Sequence, residues 1–334
     1  MNTAIVDPAF QIFLSRHGYG DAVLTPLPGD ASARRYLRLA QAGLLLMEDR
    51  HDPVGFDAFV RLARHLRGLG LSAPKVLAAD AGLALIEDFG AETYGVLLTQ
   101  GADETALYEL AIDALLHLHH APLATQVEVP PYSSDMLLDE ITVFSDWFVP
   151  ALRPALPVAD FDTRWRACWQ QAFAPLEGHR PALVLRDFHI DNLMLLRDRA
   201  GIARCGLLDF QDGVVGAAEY DLVSLLQDAR RDLAPGLEDQ MLARYLASAP
   251  PHLGTRDEIL RRYHLLGAQR HTRIAGLFLR LNQRDGKPGY LRFLPRVLGQ
   301  MQTALDNAGL TEITAYLDTT LPGWRAAGPR LSQG

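Results

Sequence analysis

The chain has 334 residues, 49% of them hydrophobic and 22% charged, with a net charge of -8. That apolar content fills one large core or two moderate ones, and the acidic balance argues against nucleic acid as a general partner. Cys168 and Cys205 are the only cysteines, which excludes a disulfide framework or thiolate metal cage; with no membrane-length apolar run and no signal-peptide pattern, a soluble cytoplasmic protein is expected.

In chain order, Ala22–Pro28, Arg35–Leu39 and Leu44–Glu48 read as strands, broken by Gly29-Asp30 and Gly43. Phe56, Phe59, Val60, Ala63 and Leu66 recur at helical spacing until Gly68 and Gly70. Val76–Ala79 and Leu83–Ile86 read as two further strands around the turn Asp80-Ala81-Gly82. A small sheet with one helix is the order of elements in the small lobe of a kinase-like fold. Glu87-Asp88-Phe89-Gly90 is then the connector, with Glu87 a candidate nucleotide contact and Gly90 a hinge.

Beyond the connector the pattern turns mostly helical. Leu107, Leu110, Ala111, Ala114, Leu115 and Leu118 form one amphipathic face, and Asp135–Val149 and Asp162–Phe173 read as helices. Short strands return at Leu183–Arg186, Leu193–Leu196 and Gly206–Asp209. Helices are expected from about Tyr220 to Arg231 and through Glu238–Ser248, Asp257–Asn282 and Leu291–Ala308, with a loose tail after Pro322. The fold class is α+β, bilobal and protein-kinase-like. Residues 1–88 form a β-rich nucleotide-binding lobe, and residues 89–334 a larger, mainly helical lobe for catalysis and substrate.

The most informative stretch is Leu185-Arg186-Asp187-Phe188-His189-Ile190-Asp191-Asn192, followed by Leu207-Leu208-Asp209-Phe210. Asp187 and Asn192 flank a loop between apolar runs, where catalytic groups commonly sit. Phosphoryl transfer needs a carboxylate facing the acceptor hydroxyl, plus oxygen ligands for the magnesium that neutralises nucleotide phosphates. Asp187 suits the first task; Asn192 and Asp209 suit the second. Taken singly, such residues are ordinary turn and cap formers. His189 can polarise a phosphate or substrate oxygen or simply hold the loop, and Asp191 can touch metal or substrate or form a turn. Asp221 can brace the catalytic loop or cap its own helix.

Pro28-Gly29-Asp30-Ala31-Ser32-Ala33-Arg34-Arg35 lies between two expected strands, where backbone amides and Ser32 can cover phosphates. The lysine a kinase places on the following strand is absent: the chain reads Leu44-Leu45-Leu46-Met47-Glu48. Arg34 or Arg35 can supply the charge, since guanidinium binds phosphate bidentately. His117-Leu118-His119-His120 closes a helix and suits its negative end better than a metal. Arg270, Arg273, Arg280 and Arg284 share a helical face, suited to an anionic substrate group or to a solvated surface. Trp147 and Trp165 suit sugar stacking or core packing.

Asp187 through Asn192, Asp209 and Tyr220-Asp221-Leu222 together resemble the aminoglycoside phosphotransferase and choline-kinase-like family, over roughly residues 20–300. Ala31-Ser32-Ala33-Arg34-Arg35-Tyr36, Gly206-Leu207-Leu208-Asp209-Phe210-Gln211-Asp212 and Arg284-Asp285-Gly286-Lys287 resemble one subgroup within it. That subgroup is the bacterial kinases of cell-wall recycling that act on the anomeric hydroxyl of N-acetylmuramate and N-acetylglucosamine. The resemblance implies ATP and Mg²⁺, Asp187 as the base, and Asn192 and Asp209 as metal ligands. It also implies a downstream nucleotidyltransferase, a uridylyltransferase that converts the sugar 1-phosphate, without a stable complex. Leu185 stands where a histidine is often found, Gln211 where protein kinases have glycine, and Met47 where the nucleotide lysine belongs. The lactyl carboxylate of N-acetylmuramate wants a cation, with Arg230, Arg270 and Arg273 as candidates. Asp135, Asp139 and Glu140 leave open an aminoglycoside or another small-molecule hydroxyl as acceptor, and Met47 leaves open a catalytically silent nucleotide-binding module.

Overall fold

The structure, a computed structural model, describes residues 7–28 and 34–332. Packing divides it into two compact units: one runs to Val129 and takes in Leu185–Gly213, the other comprises Pro130–Val184 and the chain from Val214 onward. These units follow packing and do not coincide with a cut at residue 88.

The first unit opens on α1 (Pro8–Arg16), a helix absent from the expectations above and capped by Asp7, whose carboxylate accepts the Ala9 N–H at 2.9 Å. Then come β1 (Leu24–Pro26), β2 (Arg35–Leu39), β3 (Leu44–Glu48), α2 (Pro53–Gly68), β4 (Val76–Asp80) and β5 (Leu83–Glu87). The strands form one antiparallel sheet in the order β1-β2-β3-β5-β4. Strand alternation sends Leu37, Leu39, Leu44, Leu46, Leu83 and Leu85 to one face, where Phe10, Phe13 and Leu14 of α1 cover them. Each fully buried side chain of this size contributes about 1.5–3 kcal/mol. The other face carries Tyr36 and Met47, which are direct cross-strand partners, and Met47 is fully buried. Asp52 caps α2 through the Gly55 N–H, and the helix buries Phe56, Phe59, Leu62, Ala63 and Leu66. The unit continues with α3 (Tyr94–Thr99) and α4 (Glu104–His120); His117, in the last turn of α4, donates a ring N–H to the Leu69 carbonyl at 2.7 Å.

In the second unit, the helix expected over 135–149 breaks up. It becomes α5 (Ser134–Glu140), a π-helical turn at Phe144–Phe148 and α6 (Val149–Leu152). The wider turn stacks Phe144 on Phe148 at 4.5 Å and on Trp165 at 5.2 Å, so three rings share one core. Trp165 lies on α7 (Val158–Ala172) and is fully buried. Next come α8 (Glu219–Leu226), α9 (Leu237–Ser248), α10 (Arg256–Gln283) and α11 (Leu294–Asn307). The helix α8 stops well before Arg231; beyond it, the Asp228 carboxylate accepts the Arg230 N–H at 2.9 Å, a local turn that competes with helix. The 28-residue α10 starts from a capping box of Thr255 and Glu258. A Cβ at Gly276 would collide with the backbone of Val143 and Phe144, so glycine sets the close approach of α10 to the π-turn.

The helix α12 (Thr311–Thr320) is also absent from the expectations above. The tail after Pro322 is also not loose. Trp324 is fully buried and donates its indole N–H to Asp318 at 3.0 Å, and a short helix follows at Ala327–Leu331. One buried tryptophan outweighs the polar composition around it. Among the described residues no helix is long and apolar enough to cross a membrane.

His271, at the middle of α10, is fully buried and donates its Nε2–H to Gln227 Oε1 at 2.9 Å. Burial, with the neighbouring Arg270 charge adding to it, lowers its pKa to about 3. The unfolded chain takes up a proton near pH 6.5 while the folded chain does not, so stability is complete above that pH and falls as pH drops toward 3. Between pH 6.5 and 5 this one group accounts for at most about 2 kcal/mol. Chemical denaturation across that range is expected to show the slope, and His271→Gln is expected to flatten it.

Candidate active site

Two short buried strands, Leu193–Leu195 and Cys205–Leu207, pair antiparallel in the first unit. Ser72 pins the second strand: the Leu207 N–H donates to its carbonyl and its hydroxyl donates to the Ala203 carbonyl, both at 2.7 Å. Asn192 directly precedes the first strand and Asp209 follows the second, so the hairpin brings them to one end. The Leu208 N–H donates to the Asn192 carbonyl at 3.0 Å and fixes them side by side. The Asn192 amide then donates to the Asp187 carbonyl at 3.0 Å and reaches Asp209 Oδ2 at 3.4 Å. The two acids and the amide read from the sequence therefore form one cluster.

The backbone at this cluster is strained. Arg186 and Asp209 adopt left-handed φ of 68° and 56°. Aspartate tolerates that region; arginine does not, and such a conformation stores about 1–3 kcal/mol beside Asp187. Asp209 is an exposed residue, yet its carboxyl group is partly desolvated by its neighbours. Desolvation is the first cause raising its pKa, the Gln211 hydrogen bond opposes it, and the Asp187 charge pushes it up further. A crowded carboxylate beside a second carboxylate is eased by a cation. The amide and carboxylate of Asn192 and Asp209 are hard oxygen donors of the kind Mg²⁺ prefers, its remaining ligands coming from phosphates and water.

Sequence reading missed the side chains that hold Asp209. The Gln211 amide donates to Asp209 Oδ1 at 2.8 Å, and its oxygen accepts from Arg34 Nη1 at 2.9 Å. Arg34 Nε donates to Asp49 at 2.8 Å, with both side chains nearly sealed from solvent at 8% and 5% exposure. The guanidinium lies 5.6 Å over the Phe59 ring of α2, and Phe59 stacks on Phe210 at 5.3 Å. The chain thus places a strand-side cation, paired to an acid, in line with the second aspartate, while Met47 stays apolar on the same sheet face. Gln211→Leu cuts this line at a half-buried position and leaves the Arg34–Asp49 pair in place. It is expected to raise the nucleotide Kd by roughly 10- to 100-fold, the worth of one charge-assisted hydrogen bond, with a small change in melting temperature; calorimetry and a thermal scan read the two.

The other sequence candidates are placed as follows. Arg35 lies on the opposite sheet face from Arg34, paired to Glu48 at 2.7 Å and over the Phe10 ring. The structure does not bring it to the cluster. Ser32 lies outside the described residues. Glu87 accepts from the Lys75 N–H at 3.1 Å and pairs with Arg67 and Arg199. His189 is buried, with Nε2 at 3.3 Å from the Asn192 amide. Asp191 is exposed on the same loop, against Gly95. In the second unit, Arg230 pairs with Asp228 at 3.4 Å. Arg273 stands 3.9 Å from Glu140, contacts the Tyr220 hydroxyl at 3.4 Å and lines a cavity.

Residues 23–259 match the phosphotransferase enzyme family. An N-acetylmuramate/N-acetylglucosamine kinase of Caulobacter vibrioides is 37% identical, over 93% of this chain and 95% of that protein. One from Pseudomonas aeruginosa is 34% identical, over 90% and 91%. The ADP-bound crystal structure of the aminoglycoside phosphotransferase APH(2'')-Ib superposes with a TM-score of 0.61 at 16% identity, covering 91% of this chain and 99% of that one, which establishes a shared kinase-like fold. With the family match spanning well over half the chain and the acid–amide–acid cluster assembled, the chain belongs to the phosphotransferase enzyme family.

Proposed function

We propose that the chain is an ATP-dependent kinase that phosphorylates the anomeric C1 hydroxyl of N-acetylmuramate and N-acetylglucosamine in the cytoplasm. The observation that carries this reading is the near full-length match, at 37% identity, to a kinase of that description. The intact Asp187, Asn192 and Asp209 cluster supports turnover over silent binding.

Asp187 accepts the C1 hydroxyl proton as the oxygen attacks the γ-phosphorus. The bond from that phosphorus to the bridging oxygen breaks, and ADP leaves with the electron pair. A hemiacetal hydroxyl is more acidic than an ordinary alcohol, so a carboxylate base suffices and catalysis rests on alignment and charge. Asn192 and Asp209 are the residues that would hold Mg²⁺, which when bound neutralises the nucleotide phosphates. Arg34 is the better candidate for the anchoring charge that Met47 lacks, because it lies in line with Asp209 and Arg35 does not. In this reading residues 1–88, with Glu87 at their end, serve the nucleotide, and residues 89–334 carry the catalytic groups and bind the sugar. The product is a sugar 1-phosphate, which a nucleotidyltransferase consumes.

ADP release coupled to each sugar and to a panel of aminoglycosides tests the reading. Turnover with both amino sugars is expected; turnover with aminoglycosides alone, or tight ATP binding without any turnover, contradicts it.

A further inference from the structure

The hairpin that carries Asn192 and Asp209 has a second end. Its turn, residues 196–204, closes with the Leu196 N–H donating to the Arg204 carbonyl at 2.8 Å. Strands rise ~3.3 Å per residue, so this turn stands roughly 10 Å from the acid–amide cluster. Arg199 reaches from the turn to the connector, Glu87-Asp88-Phe89-Gly90, within the same compact unit. Its guanidinium donates to Glu87 and lies 5.0 Å over the Phe89 ring. Phe89 also rests on the hairpin itself: a Cβ at Gly206 would come to 3.0 Å from its ring, so glycine there leaves room for it.

The sequence makes Glu87 a candidate nucleotide contact, but its carboxylate is already committed. One oxygen accepts from Arg199. The other accepts from the Lys75 N–H at 3.1 Å and from Arg67, in the last turn of α2, at 3.4 Å. Glu87 therefore ties the sheet, the end of α2 and the hairpin turn to one point. Exposed ion pairs contribute little, and the neighbouring Arg197–Glu92 pair is of that kind, with side chains 62% and 47% exposed. Arg199 and Glu87 are 20% and 29% exposed, the arginine is stacked on a ring, and the acid has three donors. That pair holds a fixed geometry.

We propose that Arg199 is a positioning residue that acts on Mg²⁺ through Asn192 and Asp209, with Glu87 as its anchor. This rests on the reading of those two residues as the metal ligands of a kinase. Mg²⁺ demands near-ideal octahedral geometry, so a small rotation of the hairpin is enough to misplace one ligand against the other. The clamp on the turn prevents that rotation.

The test is calorimetry of ATP binding, read as the ratio of the Kd without metal to the Kd at saturating Mg²⁺. A lobe that is merely less stable lowers the active fraction and leaves this ratio alone. Arg199→Met keeps an apolar side chain against Phe89 and removes the charge. It is expected to lower the ratio roughly 3- to 10-fold, less than the 10- to 100-fold typical of a direct partner of a metal ligand, because Arg199 acts through a strand. Arg199→Lys is expected to recover part of the loss. Glu87→Gln is expected to act as Arg199→Met does, and the double variant to add little to either. Arg197→Met is the control, with the ratio unchanged. The clamp is overturned, and the kinase reading left standing, by an unchanged ratio in Arg199→Met or by an equal loss in Arg197→Met. A Glu87→Gln loss that is the same with and without Mg²⁺ also overturns it and returns Glu87 to direct nucleotide contact. A ratio of one in the unaltered protein overturns the metal-ligand assignment and the clamp together.

Discussion

Asp187→Asn is expected to lower kcat by about 10²–10⁴-fold, the range a positioned general base supplies. Asparagine keeps the shape and the hydrogen-bonding reach of the side chain, and the Asn192 amide binds the backbone carbonyl of residue 187, which the substitution leaves in place. The loop geometry therefore survives while the proton acceptor is lost. The loss should fall on kcat, with nucleotide affinity close to that of the unaltered enzyme, because an interaction made only in the transition state is removed. Single-turnover kinetics with a separate calorimetric measurement of ATP binding distinguish this from a variant that simply binds nucleotide poorly. Retention of kcat would remove Asp187 from the chemistry.

The second large effect is expected at Arg34. Its ion pair with Asp49 spans 2.8 Å and both side chains are nearly sealed. Removing one member of such a pair leaves a buried charge uncompensated, which costs about 3–5 kcal/mol. Arg34→Met should therefore unfold at much lower denaturant concentration and raise the KM for ATP. Arg34→Met combined with Asp49→Leu should recover a large part of the stability and none of the affinity, because the buried charge is gone but the cation is still missing. A double-mutant cycle by urea denaturation reads the coupling. Stability losses near zero in both single variants would mean that the pair is solvated and plays no part in holding Asp209.

These two sites differ in how far the sequence exposes them. Asp187 and Asn192 sit on one short loop, and Asp209 closes a strand that pairs with the strand after Asn192. Local pattern is enough to bring them together. The Arg34 line joins residues 15 and 177 positions apart, and no periodicity encodes it. Strand alternation is a partial signal, since adjacent arginines on a strand face opposite ways and only one of Arg34 and Arg35 can reach the cluster. The sheet was legible because its strands alternate with glycine-marked turns. The helix α1 was not, because its three large core residues, Phe10, Phe13 and Leu14, gain their meaning only against the sheet they cover. The π-turn at Phe144–Phe148 was read as continuous helix, since a one-residue widening leaves no trace in apolar spacing. Trp147 and Trp165 looked alike in sequence; the structure puts Trp165 in the core and Trp147 on a cavity wall.

A carboxylate-assisted phosphoryl transfer that ends on the anomeric oxygen of an amino sugar leaves its mark on the product. Phosphorus NMR of the product made from ATP and N-acetylmuramate addresses it directly. A phosphorus signal split by the C1 proton and lost on mild acid treatment is expected; a phosphate carried on a ring or exocyclic hydroxyl, stable to that acid, would rule out transfer to the anomeric oxygen.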